Sequence, residues 1–175
     1  MDRKARIRSF APVADRNARV LILGSMPGQE SLRKHQYYAF EHNVFWRIIA
    51  GLLQLDGSAT YRGRVRALKS SRIALWDVLE SCVRAGSSDS MIENEVANDF
   101  TKFFRNHRRI THVFFNGAKA QASFKRHVAN QFGARTLRYR RLPSTSPANA
   151  SLSFARKREA WRVILGPVRT QGSRE

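Results

Sequence analysis

Apolar positions along this 175-residue chain follow two rhythms. Short unbroken runs at 20–23, 73–76 and 113–115 each close on turn-forming or polar residues, and a mixed run at 136–142 leads into a proline-bounded segment. Runs of that length predict short strands, the all-apolar ones buried on both faces. Between them, Val44, Phe45, Ile48, Ile49, Leu52 and Leu53 recur at helical spacing and predict a helix over 44–55. Ile92, Val96, Phe100, Phe103 and Phe104 fit the same period, and further helices are predicted at 118–132 and 153–165. Strands alternating with helices predict an α/β domain built on a mainly parallel sheet. Such sheets bind ligands beyond the carboxyl ends of their strands. All four predicted strand ends carry unusual residues: Gly24-Ser25-Met26-Pro27-Gly28, Asp77, Asn116-Gly117 and Pro143-Ser144-Thr145-Ser146-Pro147.

Composition narrows the picture. No repeat or low-complexity linker divides the chain, so 1–175 reads as one domain. Its core is expected at about 10–165, with a basic N-terminal arm and a C-terminal tail disordered outside it. The net charge is +19, and residues 100–158 hold 14 Lys or Arg and no acid. Excess of this size in one domain points to a polyanionic partner, with nucleic acid first. Phosphate contacts from that stretch, Arg140 and Arg141 among them, would each contribute about −0.9 to the log–log salt slope of duplex binding. The single Cys82 excludes an intrachain disulfide and suits a reducing compartment, here expected to be a bacterial-type cytosol and its nucleoid. No apolar run approaches the roughly 18 residues of a membrane span, no secretory signal opens the chain, and segment 59–72 is too broken by Gly63 for a membrane-surface helix.

Candidate chemistry sits at the strand ends. The five histidines form no ligand spacing, so no metal and no cofactor are expected. The Gly24–Gly28 turn matches neither a Walker loop nor a dinucleotide fingerprint, and no Gly-x-Ser-x-Gly elbow appears. Residues 37–46 hold five aromatics in ten, fit either for core packing or for stacking on an unstacked base. Asn43 stands where an N-cap would. Asp77 is the only acid directly ending a core strand, and the plain alternative is a cap for a helix running through Cys82. Lys34 and Lys119 read as surface lysines rather than Schiff-base nucleophiles.

Four blocks together resemble one family. Leu21-Ile22-Leu23-Gly24-Ser25-Met26-Pro27-Gly28, then Ser31-Leu32, Tyr37-Tyr38 and Asn43-Val44-Phe45-Trp46, are similar to the first motif of the hypoxanthine-DNA glycosylases, a branch of the uracil-DNA glycosylase superfamily. Leu142-Pro143-Ser144-Thr145-Ser146-Pro147-Ala148-Asn149-Ala150 resembles their second. Ala74-Leu75-Trp76-Asp77-Val78-Leu79 and Phe115-Asn116-Gly117-Ala118-Lys119-Ala120 match at the intervening strand ends. The resemblance implies a three-layer α/β/α domain with a four-stranded parallel sheet. It implies a monofunctional glycosylase that hydrolyses the bond between deoxyribose and a deaminated base, hypoxanthine first and then uracil or xanthine, without metal or organic cofactor. Efficient uracil-specific members carry Asp at the place of Met26 and His at the place of Leu142; this sequence sides with the hypoxanthine branch.

The resemblance carries catalysis to Asn43, which would hold the attacking water. Base recognition would fall to Asp77, Phe45 and Asn116, with Phe45 favoured over Tyr37 or Tyr38 as the ring that stacks on the extruded base. Gly24, Ser25, Met26, Pro27 and Gly28 would contact the water and the leaving base, and the N–H groups of the Ser25–Gly28 turn, which Pro27 lacks, would receive charge on the departing base. Pro143, Ser144, Thr145 and Ser146, with Arg140, Arg141 and Lys119, would hold DNA while the nucleotide is flipped out. An ionised Asp77 would accept the ring N–H of hypoxanthine or uracil and face a lone pair on adenine. The partner expected is DNA bearing deaminated bases, bound by a monomer. Two other readings stay open: a DNA-binding protein that keeps the fold without the chemistry, and a nucleoside N-glycosidase, which the charge disfavours.

Overall fold

In the computed structural model, which describes residues 6–131 and 136–169, the apolar runs form three neighbouring strands of a parallel sheet. The strands are β1 (Arg6–Arg8), β2 (Val20–Gly24), β3 (Ile73–Asp77), β4 (Leu79–Val83), β5 (Glu93–Ala97), β6 (His112–Asn116) and β7 (Arg138–Leu142). Four of them lie in the order β3-β2-β6-β7, every neighbour parallel. Strands β2 and β3 are buried at every position, as a parallel sheet covered on both faces requires. The register sets Gly24 beside Asp77 and Asn116 beside Leu142, so the strand ends expected to carry chemistry meet at one edge.

Helices flank the sheet: α1 (Gln29–Lys34), α2 (Phe45–Leu53), α3 (Tyr61–Ser70), α4 (Phe100–Asn106), α5 (Ala118–His127), α6 (Phe154–Trp161) and α7 (Gly166–Arg169). Helix α2 buries Phe45, Trp46, Ile48 and Ile49 from its apolar stripe. Thr60, Asp99 and Ser153 cap α3, α4 and α6 by accepting from the amides of Gly63, Lys102 and Arg156, bonds worth about 1 kcal/mol each. One apolar cluster runs from Val13 to Leu165 and supplies the main driving force for folding.

A second sheet departs from the sequence expectation. Strands β1, β4 and β5 pair antiparallel in the order β1-β4-β5. The helix expected from Ile92 onward is therefore a strand to Ala97, and helix begins only at Phe100, behind the Asp99 cap. Val96, which completed the helical period, is 44% exposed on β5. No helix runs through Cys82 either; that segment is β4. Arg6–Arg8, placed in a free basic arm, pair with β4. The first five and last six residues, and Phe132 of the expected 118–132 helix, lie outside the described residues.

Asp77 stands at the corner where the chain leaves one sheet for the other. Val78 and Leu79 donate their amides to the carbonyls of Gly24 and Ser25, and Asn98 Nδ2 donates to the Asp77 carbonyl. The corner is thus fixed from three sides.

Candidate active site

A cleft of about 1010 Å³ opens at the carboxyl edge of the parallel sheet. It brings together most of the residues singled out in the sequence: Gly24, Ser25, Met26, Pro27, Gly28, Asn43, Asp77, Asn116, Ser144, Thr145 and Ser146 all line it. Pro143, Phe45, Lys119, Arg140 and Arg141 do not.

Asp77 is 3% exposed, and its Oδ2 has no hydrogen-bond partner. A Cβ on Gly24 would lie 2.5 Å from Asp77 Oδ1 and 2.9 Å from the Tyr38 hydroxyl, so only glycine lets these groups converge. Burial first, and repulsion from Asp89 second, raise the Asp77 carboxyl to about pH 8 against the pull of Arg84. Burial therefore favours the neutral form over the carboxylate expected from the sequence, and a neutral acid both donates and accepts.

The facing wall is tied down. Asn116 Nδ2 donates to the Tyr38 hydroxyl and to Thr145 Oγ1, each at 2.9 Å, while its Oδ1 accepts from the Thr145 amide at 2.9 Å. The Thr145 carbonyl accepts from the Val44 amide at 3.1 Å. Thr145, expected at the DNA surface, is buried as the hub of this clamp. Both N–H bonds of Asn116, expected to take part in base recognition, are committed to this wall, while the residue still lines the cleft. Gly117 adopts φ 92°, and a Cβ there would press on Ser144 at 3.0 Å. From below, Trp161 Nε1 donates to the Pro143 carbonyl at 2.9 Å and Lys157 Nζ to that of Asn149 at 2.6 Å. Pro143 is half-buried and does not line the cleft.

Asn43 hangs from the same wall. Its Oδ1 accepts from the Phe45 amide at 3.0 Å, so it caps α2 from one residue before the N-cap position and also faces the cleft. Phe45 is 0% exposed and cannot touch a ligand. Its ring instead backs Tyr38, with centroids 4.0 Å apart and planes 22° apart, and Tyr38 lines the cleft at φ 53°. Phe40, 45% exposed, stands at the rim.

Three charged residues fall elsewhere than expected. Lys119 is ion-paired to Glu95, a side chain that also accepts from Ser123 at 2.8 Å and lies 2.9 Å from His127. Burial opposes ionisation of Glu95, but these partners outweigh it and lower its pKa. Lys119 therefore joins α5 to β5 and is not offered to phosphate. Arg140 and Arg141 are exposed on β7, yet adjacent strand residues point to opposite faces, so they do not form one patch. Arg140 shares a separate groove with His112, Phe114 and Val163.

The sequence reading missed the segment from Arg84 to Met91, which forms part of the cleft wall through Ser87, Ser88, Asp89 and Ser90. Asp89 sits on an exposed turn but accepts from Ser25 Oγ at 2.7 Å. Ser87 Oγ accepts from the Gln29 amide. Arg84, 6% exposed, donates to the carbonyls of Pro27 and Gly86, and its Nη1 has no partner. The available signal was an acid in a Gly-Ser-rich stretch, which by itself reads as a loop.

A model of the uracil DNA glycosylase superfamily matches residues 11–165. A hypoxanthine DNA glycosylase of Methanosarcina acetivorans is 38% identical over 160 residues, 90% of this chain and 97% of its own. One of Methanosarcina barkeri is 41% identical over 114 residues, 65% of this chain and 72% of its own. The solution NMR structure of a Methanosarcina acetivorans protein, described as a candidate uracil DNA glycosylase, superposes with TM-score 0.78 at 35% identity over 92% of this chain and 98% of its own.

Proposed function

The chain belongs to the uracil DNA glycosylase superfamily and is a DNA N-glycosylase, and from that premise we propose that the base it removes is hypoxanthine. The observation that carries the reading of a deaminated base is the buried Asp77 carboxyl that lines the cleft with one oxygen unpartnered and its pKa raised by burial; the choice of hypoxanthine among such bases follows the relatives. A neutral acid offers O–H and C=O side by side. Hypoxanthine offers O6 and N1–H side by side, and the two edges pair through two hydrogen bonds. The names of the 38% and 41% identical relatives support the same base.

Uracil and xanthine carry the same –CO–NH– edge and are the secondary substrates of this reading. Adenine, with N1 and an amino group, can also pair with a neutral acid by reversing donor and acceptor. Its exclusion therefore does not come from a carboxylate lone pair. It comes in part from the duplex: hypoxanthine opposite thymine is a mismatch and is extruded more cheaply than paired adenine.

In this reading the extruded base lies against Tyr38, whose ring is braced by Phe45. The Gly24–Gly28 turn lines the side of the base. Asn43 holds the attacking water through the lone pair of Oδ1 that does not take the Phe45 amide. The +19 charge holds the phosphates. The test is incubation with duplexes carrying one hypoxanthine, uracil or xanthine, followed by alkali. Strand cleavage at hypoxanthine opposite thymine, and none at adenine, is expected. Salt-sensitive binding without release of any base would instead identify a DNA-binding protein that keeps only the fold.

A further inference from the structure

We propose that Arg84 acts on the departing base from behind the cleft: its guanidinium grips the Pro27 carbonyl and so turns and polarises the Gly28 N–H toward the leaving purine. Arg84 is a positioning residue in this account, which rests on the reading of a deaminated purine as substrate.

Arg84 follows directly on β4 and turns inward to 6% exposure. Its Nη2 donates to the Pro27 carbonyl at 2.5 Å and its Nε to the Gly86 carbonyl at 3.0 Å. Nη1 has no partner, and among the described residues no ion pair includes Arg84. A guanidinium keeps its charge, so a fixed cation stands behind the turn that lines the cleft. The other buried cation among the described residues, Lys157, lies under the Thr145 wall and donates to the carbonyls of Asn149 and Ser146 at 2.6 and 3.4 Å. Only Arg84 backs the Gly24–Gly28 turn.

The Pro27–Gly28 peptide is planar and trans, so its N–H points opposite to its carbonyl. Pro27 and Gly28 line the cleft and Arg84 does not. The carbonyl drawn back onto Arg84 therefore turns the Gly28 N–H away from Arg84, to the cleft side. The next amide, that of Gln29, is taken by Ser87 Oγ at 2.9 Å. A charged donor on a carbonyl polarises the peptide and strengthens its N–H as a donor. Burial keeps water from screening that charge. Other cations around the site are engaged, Lys34 with Glu30 and Lys119 with Glu95.

The step balances. The C1′–N9 bond breaks and its electron pair goes to the base, so hypoxanthine leaves as an anion. The charge spreads over O6 and the ring nitrogens N3 and N7. Asp77 stays on the N1–H and O6 edge and gives up no proton. The Gly28 N–H meets a ring nitrogen outside that edge, on the side of the base that the turn lines. Water adds to C1′ and loses one proton to solvent, and the released base takes one proton from solvent. The net reaction is addition of water across the glycosidic bond.

Arg84→Met keeps an unbranched stem without charge or donor, and Arg84→Lys keeps the charge and a donor. Single-turnover excision is measured for wild type and both variants on duplexes carrying hypoxanthine or 7-methylhypoxanthine opposite thymine, with spontaneous loss subtracted. Binding to a duplex carrying an uncleavable 2′-fluoro hypoxanthine nucleotide and thermal unfolding are measured alongside. The methylated purine is cationic in DNA and leaves neutral, so its departure needs no donor for an anion. Arg84→Met is expected to lose about a hundredfold on hypoxanthine, only a few fold on 7-methylhypoxanthine, and to bind the analogue within a few fold. Arg84→Lys is expected to recover about tenfold of the loss on hypoxanthine. Equal losses on the two substrates, a Lys variant no faster than the Met variant, or a folded Met variant within about fivefold of wild type on hypoxanthine overturns the proposal. Wild type that binds but never releases hypoxanthine overturns the substrate assignment instead.

Discussion

The two walls of the cleft are built on opposite plans. The wall around Thr145 is saturated: Asn116, Tyr38, Val44, Trp161, Lys157 and Asn149 supply hydrogen bonds to its side chains and carbonyls. The floor and the 84–91 wall hold Asp77 Oδ2 and Arg84 Nη1, both buried without a partner. Buried polar groups are nearly always satisfied, and an orphan costs about 1–3 kcal/mol. One wall therefore holds geometry and the other holds reactivity. Substitutions in the first should lower stability, whereas substitutions in the second should lower activity and raise stability.

The largest effect is expected at Asn43, where the two plans meet. As a cap alone, Asn43→Ala would cost roughly 1 kcal/mol and Asn43→Ser much less. As the residue that holds the water, both variants should lose excision by about a hundredfold or more while binding an uncleavable analogue nearly normally. Single-turnover excision beside thermal unfolding separates the two. Near-normal excision by the Ser variant would leave Asn43 as a cap.

Thr145→Val comes next. It keeps the shape but removes the acceptor for Asn116 Nδ2, leaving that half-buried N–H without its partner. A loss of about 1–3 kcal/mol follows, or roughly 2–4 °C in Tm per kcal/mol for a chain of this size. An unchanged Tm would mean that the clamp contributes nothing and the comparison of walls fails.

The opposite sign is expected at the floor. The Asp77 carboxyl is raised from 3.8 to about 8, so the native state holds a proton that the unfolded chain has lost between those values. Stability therefore falls as pH rises from about 4 to 8 and levels above 8. Asp77→Asn escapes that loss. Its Tm should exceed that of wild type by a margin that grows from pH 4 to pH 8, measured by unfolding across that range. A margin independent of pH would show an ordinarily ionised carboxylate.

The same contrast explains what could be read from the sequence. Strands β2, β3 and β6 are apolar on consecutive residues because helices cover both faces, and that pattern is local. The ends of those strands announced Gly24, Asp77 and Asn116 directly. The second sheet was hidden because β5 alternates weakly and finds its partner β4 only after the chain turns at Val78. With that sheet unseen, the 84–91 segment had no position, and Asp89 and Arg84 had no role. Without them the burial that keeps Asp77 neutral was invisible, although Asp77 itself was not. Phe45 shows the reverse error: its motif is legible, but only packing reveals that Tyr38 covers it.

The smallest effect concerns the basic flank beyond the braced wall. Arg140 and Arg141 follow one another on edge strand β7 and so point to opposite faces of the sheet. A duplex docked over the cleft meets one face of that edge. Arg140 lies in the groove with His112, Phe114 and Val163, which shares no residue with the cleft. Arg140→Gln should therefore leave the salt dependence of DNA binding unchanged. Arg141→Gln should lower the log–log slope by at most about 0.9, the contribution of one neutralised phosphate. Binding of an undamaged duplex over a salt series measures both slopes. Equal reductions of about 0.9 from each variant would mean that DNA wraps around the β7 edge, and the saturated wall would then be a docking surface on both of its sides rather than a brace behind one.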